Sequence, residues 1–254
     1  MKLRVLGCSG SIGGSLRTTA FLLDDDILID GGTGVGDLTL EELQCIDHVF
    51  VTHSHLDHVA CIPFLLDTVG SLRERPLTLH ASHETLAILR EHLFNWKLWP
   101  DFSVIPSAAA PCMRYHAMAP GEAVRIGTRT IRSLPANHVV PAVGYHLDSG
   151  AGSLVFTGDT GPCAPLWEAV NRIGNLRYVI VETAFANAER ALADASRHLT
   201  PDLLAAELAS LAGKPEILIT HLKPVDGAST MEEVRRVAAA WAPRMLEHGE
   251  VLEF

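Results

Sequence analysis

The sequence has no paired-cysteine motif, no long apolar run, few aromatic residues and a deficit of basic charge. Each absence excludes something. Five cysteines (Cys8, Cys45, Cys61, Cys112, Cys163) are scattered, odd in number and never spaced CxxC, which argues against a disulfide framework and against a thiolate metal site. The 254-residue chain is long enough to bury roughly 70–75 % of its unfolded surface, so it needs no covalent staple. No apolar run approaches the roughly 20 residues that cross a bilayer. The opening Met-Lys-Leu-Arg-Val-Leu-Gly reads as a strand carrying charges, not as a signal peptide, and a cytoplasmic location is expected. With 20 Lys and Arg against 30 Asp and Glu, the net charge of −10 disfavours a surface that tracks a phosphate backbone. A nucleic-acid polymer is therefore not the expected partner. A small anion is compatible, because a bound metal outweighs a distant net charge.

Histidine is what the chain has in excess, with thirteen. Its 48 % hydrophobic and 20 % charged content is that of a globular protein. Strand-length apolar runs alternate with stretches of helical period. Strands are expected over 3–7, 19–23, 26–29, 47–52, 77–81, 123–126, 130–134, 142–147, 153–157, 177–182 and 216–220. Helices are expected over 39–45, 58–72, 84–93, 164–173, 201–212 and 230–241, with Pro63 tolerated near the start of its helix. Residues 100–120, rich in Pro and Ala, read as irregular. No linker, repeat or low-complexity tract divides residues 1–254, which read as one domain. The β-rich and mixed segments fit two sheets packed face to face with helices outside, a four-layer αββα sandwich, and equally permit a doubly wound sheet.

Four apolar strands run straight into a polar residue: His53, Asp159, Glu182 and His221. Any one such ending can be a plain exit from the core. Four of them, in α/β sequence, read as a site assembled at the carboxyl edge of the strands. The first continues as His53-Ser54-His55-Leu56-Asp57-His58. Residues two apart on an extended chain point the same way, so His53 and His55 can share one metal, while the following turn carries Asp57 and His58 toward a second position. Imidazole and carboxylate without thiolate suit zinc, iron or manganese. His48, His80, His83, His92, His116, His146 and His248 each stand alone in their segments and read as surface or core residues.

This HxHxDH string resembles the signature of the metallo-β-lactamase fold superfamily. Further positions are similar in order: His138 in Pro-Ala-Asn-His, Asp159 in Thr-Gly-Asp-Thr, and His221 in Ile-Thr-His-Leu-Lys-Pro. The resemblance implies the αββα metallo-β-lactamase-like sandwich. It also implies a site for two divalent ions, zinc with manganese or iron as alternatives, held by His53, His55, Asp57, His58, His138, Asp159 and His221. Asp30, in Ile-Asp-Gly-Gly, matches the early Asp that supports the ligand loop.

Within that superfamily, the HxHLDH variant, the Gly7–Gly14 loop and Val181-Glu-Thr-Ala-Phe185 resemble class II cyclic-nucleotide phosphodiesterases. Cys61 departs from their signature, where Gly or Ser is usual. Ser196-Arg-His-Leu-Thr200 is similar to an element of phosphodiesterase members that include tRNA 3′-processing nucleases. The resemblance implies hydrolysis of 3′,5′-cyclic nucleotides to 5′-nucleotides. His198 is then the general acid, Glu182 its support, and Asp57 both a ligand and a holder of the attacking water's proton. It implies a small-molecule phosphodiester substrate and a homodimer. RNA processing and hydrolysis of lactones, thioesters or sulfate esters are the alternatives. The aromatic stretch Phe94, Trp96, Trp99 and Phe102 can stack a base or cover the cleft, and equally can pack a helix end or a dimer contact. Cys8 and Cys61 flank the site and read as ordinary buried thiols.

Overall fold

A computed structural model describes all residues 1–254. The chain begins with β1 (Lys2–Gly7), β2 (Ala20–Leu23), β3 (Ile27–Ile29), β4 (His48–Phe50) and β5 (Leu77–Ser82). A small hairpin, β6 (Pro106–Ser107) and β7 (Ala110–Pro111), precedes β8 (Met113–Met118). Next come β9 (Ala123–Ile126), β10 (Arg129–Pro135), β11 (Val143–Asp148) and β12 (Ser153–Phe156). The chain ends with β13 (Leu176–Glu182), β14 (Glu216–Thr220), β15 (Arg244–Met245) and β16 (Val251–Glu253). Two seven-stranded sheets result, ordered β16-β1-β2-β3-β4-β5-β8 and β15-β14-β13-β12-β11-β10-β9.

The alternation of side chains along each strand explains the layering. Phe21, Phe50, Tyr145, Phe156, Ile180 and Leu218 meet between the sheets. Their neighbours Val49 and Val51 face outward against Leu65 and Leu66 of the helix Ile62–Val69. On the other side Val155, Val179, Val181, Ile217 and Ile219 pack on Trp167, Leu204 and Val234. Strands buried on both faces read as continuous apolar runs, which is why they stand out in the sequence. Three apolar layers between two sheets and two helical coats make the expected αββα sandwich. No helix is long and apolar enough to cross a membrane.

Three expectations need correction. Residues 113–118 lie in the stretch read as irregular, yet form edge strand β8, parallel to β5. Its middle residues Arg114, Tyr115, His116 and Ala117 are not buried, so the apolar run that marks an inner strand is missing. The expected helix over 58–72 is instead two, Leu56–Val59 and Ile62–Val69, followed by a 3-10 turn. The break leaves the Cys61 N–H to bond the Gly31 carbonyl, and Pro63 falls in the first turn of the second helix, where no N–H is needed. A helix over Arg190–Ser196 and the short edge strands β15 and β16 were not anticipated.

Three of the four residues of the aromatic stretch pack within the fold. Phe94 and Phe102 are buried in the outer core of the first sheet, and Trp99 packs edge-on to Phe64 at 5.2 Å. Trp96 is exposed.

Candidate metal centre

Strands β12, β13 and β14 are mutually parallel, and β10 runs with them because two antiparallel steps separate it from β12. Their carboxyl ends therefore lie along one edge, with β3, β4 and β5 forming a parallel set in the facing sheet. From these ends hang His138, Asp159, Glu182, His221 and the His53–His58 segment. Two groups of ligand atoms converge, each within 4.8 Å of one another: His53, His55 and His138, and then Asp57, His58, Asp159 and His221. Every residue read from the sequence as a metal ligand is in one of the two.

The donors fit divalent ions. Nε2 of His53, Nε2 of His58 and Nδ1 of His221 are buried without a hydrogen-bond partner, a costly arrangement unless something else binds them. Nε2 of His138 faces Nδ1 of His55 at 3.2 Å, close to the spacing of two nitrogens on one tetrahedral ion with bonds of about 2.0–2.1 Å. Asp159 lies between the groups, with one oxygen 3.7 Å from His53 and the other 3.4 Å and 3.3 Å from His58 and His221. The two clusters suit a dinuclear centre.

A supporting shell fixes which nitrogen is bare. The tautomers follow from the partners. Asp30 is fully buried and accepts from the Thr52 N–H at 2.7 Å, the Thr52 hydroxyl at 2.8 Å and His58 Nδ1 at 2.7 Å. The Thr52 oxygen, 3.0 Å from His53 Nδ1, accepts that ring's proton in turn. His138 Nδ1 donates to the Arg197 carbonyl at 3.2 Å. His53, His58 and His138 thus each present Nε2. Asp30 and His221 both occupy left-handed backbone, at φ 58° and 62°, a conformation residues with a β-carbon adopt rarely and often at functional sites.

Charge follows burial and neighbours. Burial pushes His53 well below its ordinary pKa, His138 to about 4 and His221 to about 3, so these rings are neutral and free to ligate near pH 7. His58 is the exception: burial opposes its charge, but Asp159 and Asp30 outweigh burial and raise its pKa well above the ordinary value, so it must shed a proton to ligate. Burial likewise works against the Asp159 carboxylate, but the surrounding His221, His58 and His53, with His58 charged beside it, outweigh burial and hold its pKa well below the usual range.

Beside the clusters, His198 Nδ1 meets Glu182 Oε1 at 2.6 Å. Glu182 is fully buried and also accepts the N–H groups of Thr160, Ala184 and Leu199. One carboxylate thereby ties together the loops of Asp159, β13 and His198. Burial raises Glu182. The His198 pKa is also raised: burial opposes its charge, and Glu182 outweighs burial. With Nδ1 engaged, Nε2 is the free nitrogen of a ring that has a ligand atom within 4.8 Å of those of His138 and Asp159.

Residues 26–222 match the family described as the beta-lactamase superfamily domain. The chain belongs to that superfamily. Its fold is the metallo-β-lactamase fold: the metallo-β-lactamase fold protein YhfI of Bacillus subtilis superposes with a TM-score of 0.77 over 99 % of this chain and 98 % of that one, at 22 % identity. A probable 3′,5′-cyclic-nucleotide phosphodiesterase of Yersinia pestis is 30 % identical over 71 % of this chain and 58 % of its own length. This superfamily member therefore spans less than two thirds of that relative. A ribonuclease Z of Mycobacterium sp. (strain KMS) is 27 % identical over 80 % of this chain and 75 % of its own.

The sequence reading missed contacts that only the fold brings in. Thr52 is the relay between Asp30 and His53. The Cys8–Gly10 loop holds His221: the His221 N–H bonds Cys8 O, Gly10 N–H bonds Leu222 O, and Lys223 Nζ bonds Gly10 O at 2.8 Å. Local patterns carry no mark of such contacts across 213 residues. Cys8 bonds the Leu246 carbonyl, and burial, with Glu250 and Glu247, pushes its thiol up to about 12; burial raises Cys61 as well. Neither thiol is a nucleophile near neutral pH.

Proposed function

We propose that this superfamily member is a dinuclear metal phosphodiesterase that opens 3′,5′-cyclic nucleotides to 5′-nucleotides. The carrying observation is the buried Glu182–His198 pair placed against the two ligand clusters. In this reading His53, His55 and His138 hold one ion, and Asp57, His58 and His221 the other, with Asp159 between them. Zinc fits imidazole and carboxylate donors without thiolate; manganese and iron are the alternatives. Bound there, two such ions would lower the pKa of water and neutralise phosphoryl oxygens.

The chain's own residues do the rest. A ribose oxygen leaves badly as an alkoxide. His198, kept protonated and oriented by Glu182, gives its Nε2 proton to that oxygen as the P–O3′ bond breaks. Asp57, half-buried as His55 is while the other ligand candidates are buried, takes the proton of the attacking water. Lactones and thioesters have easier leaving groups and less need of such an acid. The name of the Yersinia pestis relative supports the cyclic substrate.

The likeness to ribonuclease Z supports a second reading, cleavage of precursor tRNA. The net charge of −10 opposes it. Turnover of 3′,5′-cAMP by zinc-reconstituted protein tests both, with precursor tRNA as the competing substrate. The expected product is 5′-AMP. Formation of 3′-AMP, or cleavage of tRNA without turnover of cAMP, overturns the proposal.

A further inference from the structure

His138 sits in a segment, residues 136–142, that has no helix or strand of its own. Its place is set by ties to other loops. Asn137 N–H donates to Thr160 Oγ1, and Gly161 N–H to Asn137 O. The Asn137 side-chain amide also donates to the Pro162 carbonyl, and the Thr85 hydroxyl to the Pro141 carbonyl. On His138 itself, apart from the facing His55 ring, the ties come from one residue, Arg197. The Arg197 carbonyl accepts the His138 Nδ1 proton at 3.2 Å, and its guanidinium Nη1 donates back to the His138 carbonyl at 2.7 Å. Side chain and backbone of one metal-ligand candidate are clamped by a residue 59 positions away.

Three further facts give Arg197 weight. It closes the helix Arg190–Ser196 in left-handed backbone, φ 53° and ψ 57°, where Gly or Asn is the ordinary choice. Its guanidinium has no carboxylate within salt-bridge distance, although the chain carries 30 acidic residues. The next residue is His198, whose ring lies 4.9 Å from that of His138. The left-handed turn aims the Arg197 carbonyl at His138, and the following residue enters the cleft with its Nδ1 on Glu182.

We infer that Arg197 is a positioning residue that couples the His53/His55/His138 position to His198. Its carbonyl sets the His138 tautomer that leaves Nε2 bare, and its guanidinium fixes the height of the His138 backbone. The inference rests on the dinuclear reading of the two clusters and is independent of which diester is cleaved.

Arg197→Gly is the direct test, because glycine keeps the left-handed backbone and its carbonyl while removing the side chain that carries the guanidinium. Metal-free protein is titrated with zinc against a competing chelator, so that two affinities are resolved without any substrate. Replacing the partners that orient metal ligands typically costs 10–100-fold in affinity. Since the carbonyl remains, about a tenfold loss at one of the two positions is expected, with the other unchanged. Arg197→Lys, which keeps a donor for the His138 carbonyl, should lose less. The absorption spectrum of the cobalt-loaded variant should change at that same position, and the metal-free variant should melt at the wild-type temperature. Two unchanged affinities, or an equal fall in both with a lower melting temperature, overturn the role of Arg197. Wild-type protein that takes up no second ion overturns the dinuclear reading itself.

Discussion

A proton is useful to a departing alkoxide only if its donor holds it near neutral pH and still releases it in the transition state. Glu182 provides the first condition for His198 through a 2.6 Å contact in a buried setting. His198→Ala should therefore lower kcat on 3′,5′-cAMP by about 10²–10⁴-fold. On bis-p-nitrophenyl phosphate, whose leaving group departs unprotonated, the loss should stay below about tenfold. Equal losses on the two substrates would show that His198 does something other than donate a proton. Asp30 has a different task, carrying three buried donors at once. Asp30→Ala strands the Thr52 N–H and the His58 Nδ1–H in the interior. Breaking a buried, hydrogen-bonded charge pair costs about 3–5 kcal/mol, and urea denaturation of the metal-free protein should register a loss of that size. A loss under about 1 kcal/mol would mean that other groups or water take over those donors.

At the scale of elements, the His221 side of the site is two loops sewn together. The Cys8–Gly10 loop lies directly on the turn that carries His221, and a β-carbon built on Gly10 would stand 2.4 Å from the His221 carbonyl oxygen and 2.9 Å from its ring. Both neighbours belong to a left-handed residue whose N–H bonds the Cys8 carbonyl and whose successor, Leu222, accepts the Gly10 N–H, so neither can yield cheaply. Gly10→Ala should weaken zinc binding at the His221 position by at least about tenfold and leave the His53/His55/His138 position intact. Retention of both affinities in zinc titration would refute the close packing. This loop also marks where the sequence stops being readable. Among the candidate ligands, His53, Asp159 and His221 were legible because each follows an apolar strand, and buried strands announce themselves by composition; His55, Asp57 and His58 were legible through the spacing of the motif, and His138 through the resemblance alone. Glu182 and His198 were legible through resemblance and the strand-end pattern. Thr52, Arg197 and the Gly10 contact were not, since their roles come from loops that meet only after folding. Strand β8 was hidden because an edge strand needs no apolar alternation, and the break at Ala60–Cys61 because it is dictated by a tertiary bond to Gly31.

The whole molecule carries a second grouping of histidines, away from the candidate metal centre. Three rings read from the sequence as solitary are neighbours across β4, β5 and β8. His48 Nδ1 meets His80 Nε2 at 3.0 Å, and the His80 ring lies 4.8 Å from that of His116 and stacks on Phe50 at 4.1 Å. Adjacent strands put them side by side, which spacing along the chain cannot reveal. His80 is buried with Nδ1 unpartnered, and burial, with His48 and His116, pushes its pKa down to about 3. The folded pKa lies below the unfolded value of about 6.5, so the fold requires the neutral ring. Stability is full above about pH 6.5 and falls as pH drops from there toward 3, because the unfolded chain takes up a proton that the folded chain refuses. At up to about 1.4 kcal/mol per pH unit for one group, His80 should remove about 1 kcal/mol between pH 7.5 and pH 5.5. Other histidines add to the slope, so the difference against a variant isolates this one. His80→Phe keeps the stack on Phe50 and cannot protonate. Its urea-denaturation free energy should fall about 1 kcal/mol less than that of the wild type across the same interval. Parallel pH slopes for the two proteins would show that water or a shifted neighbour lets His80 charge inside the sandwich.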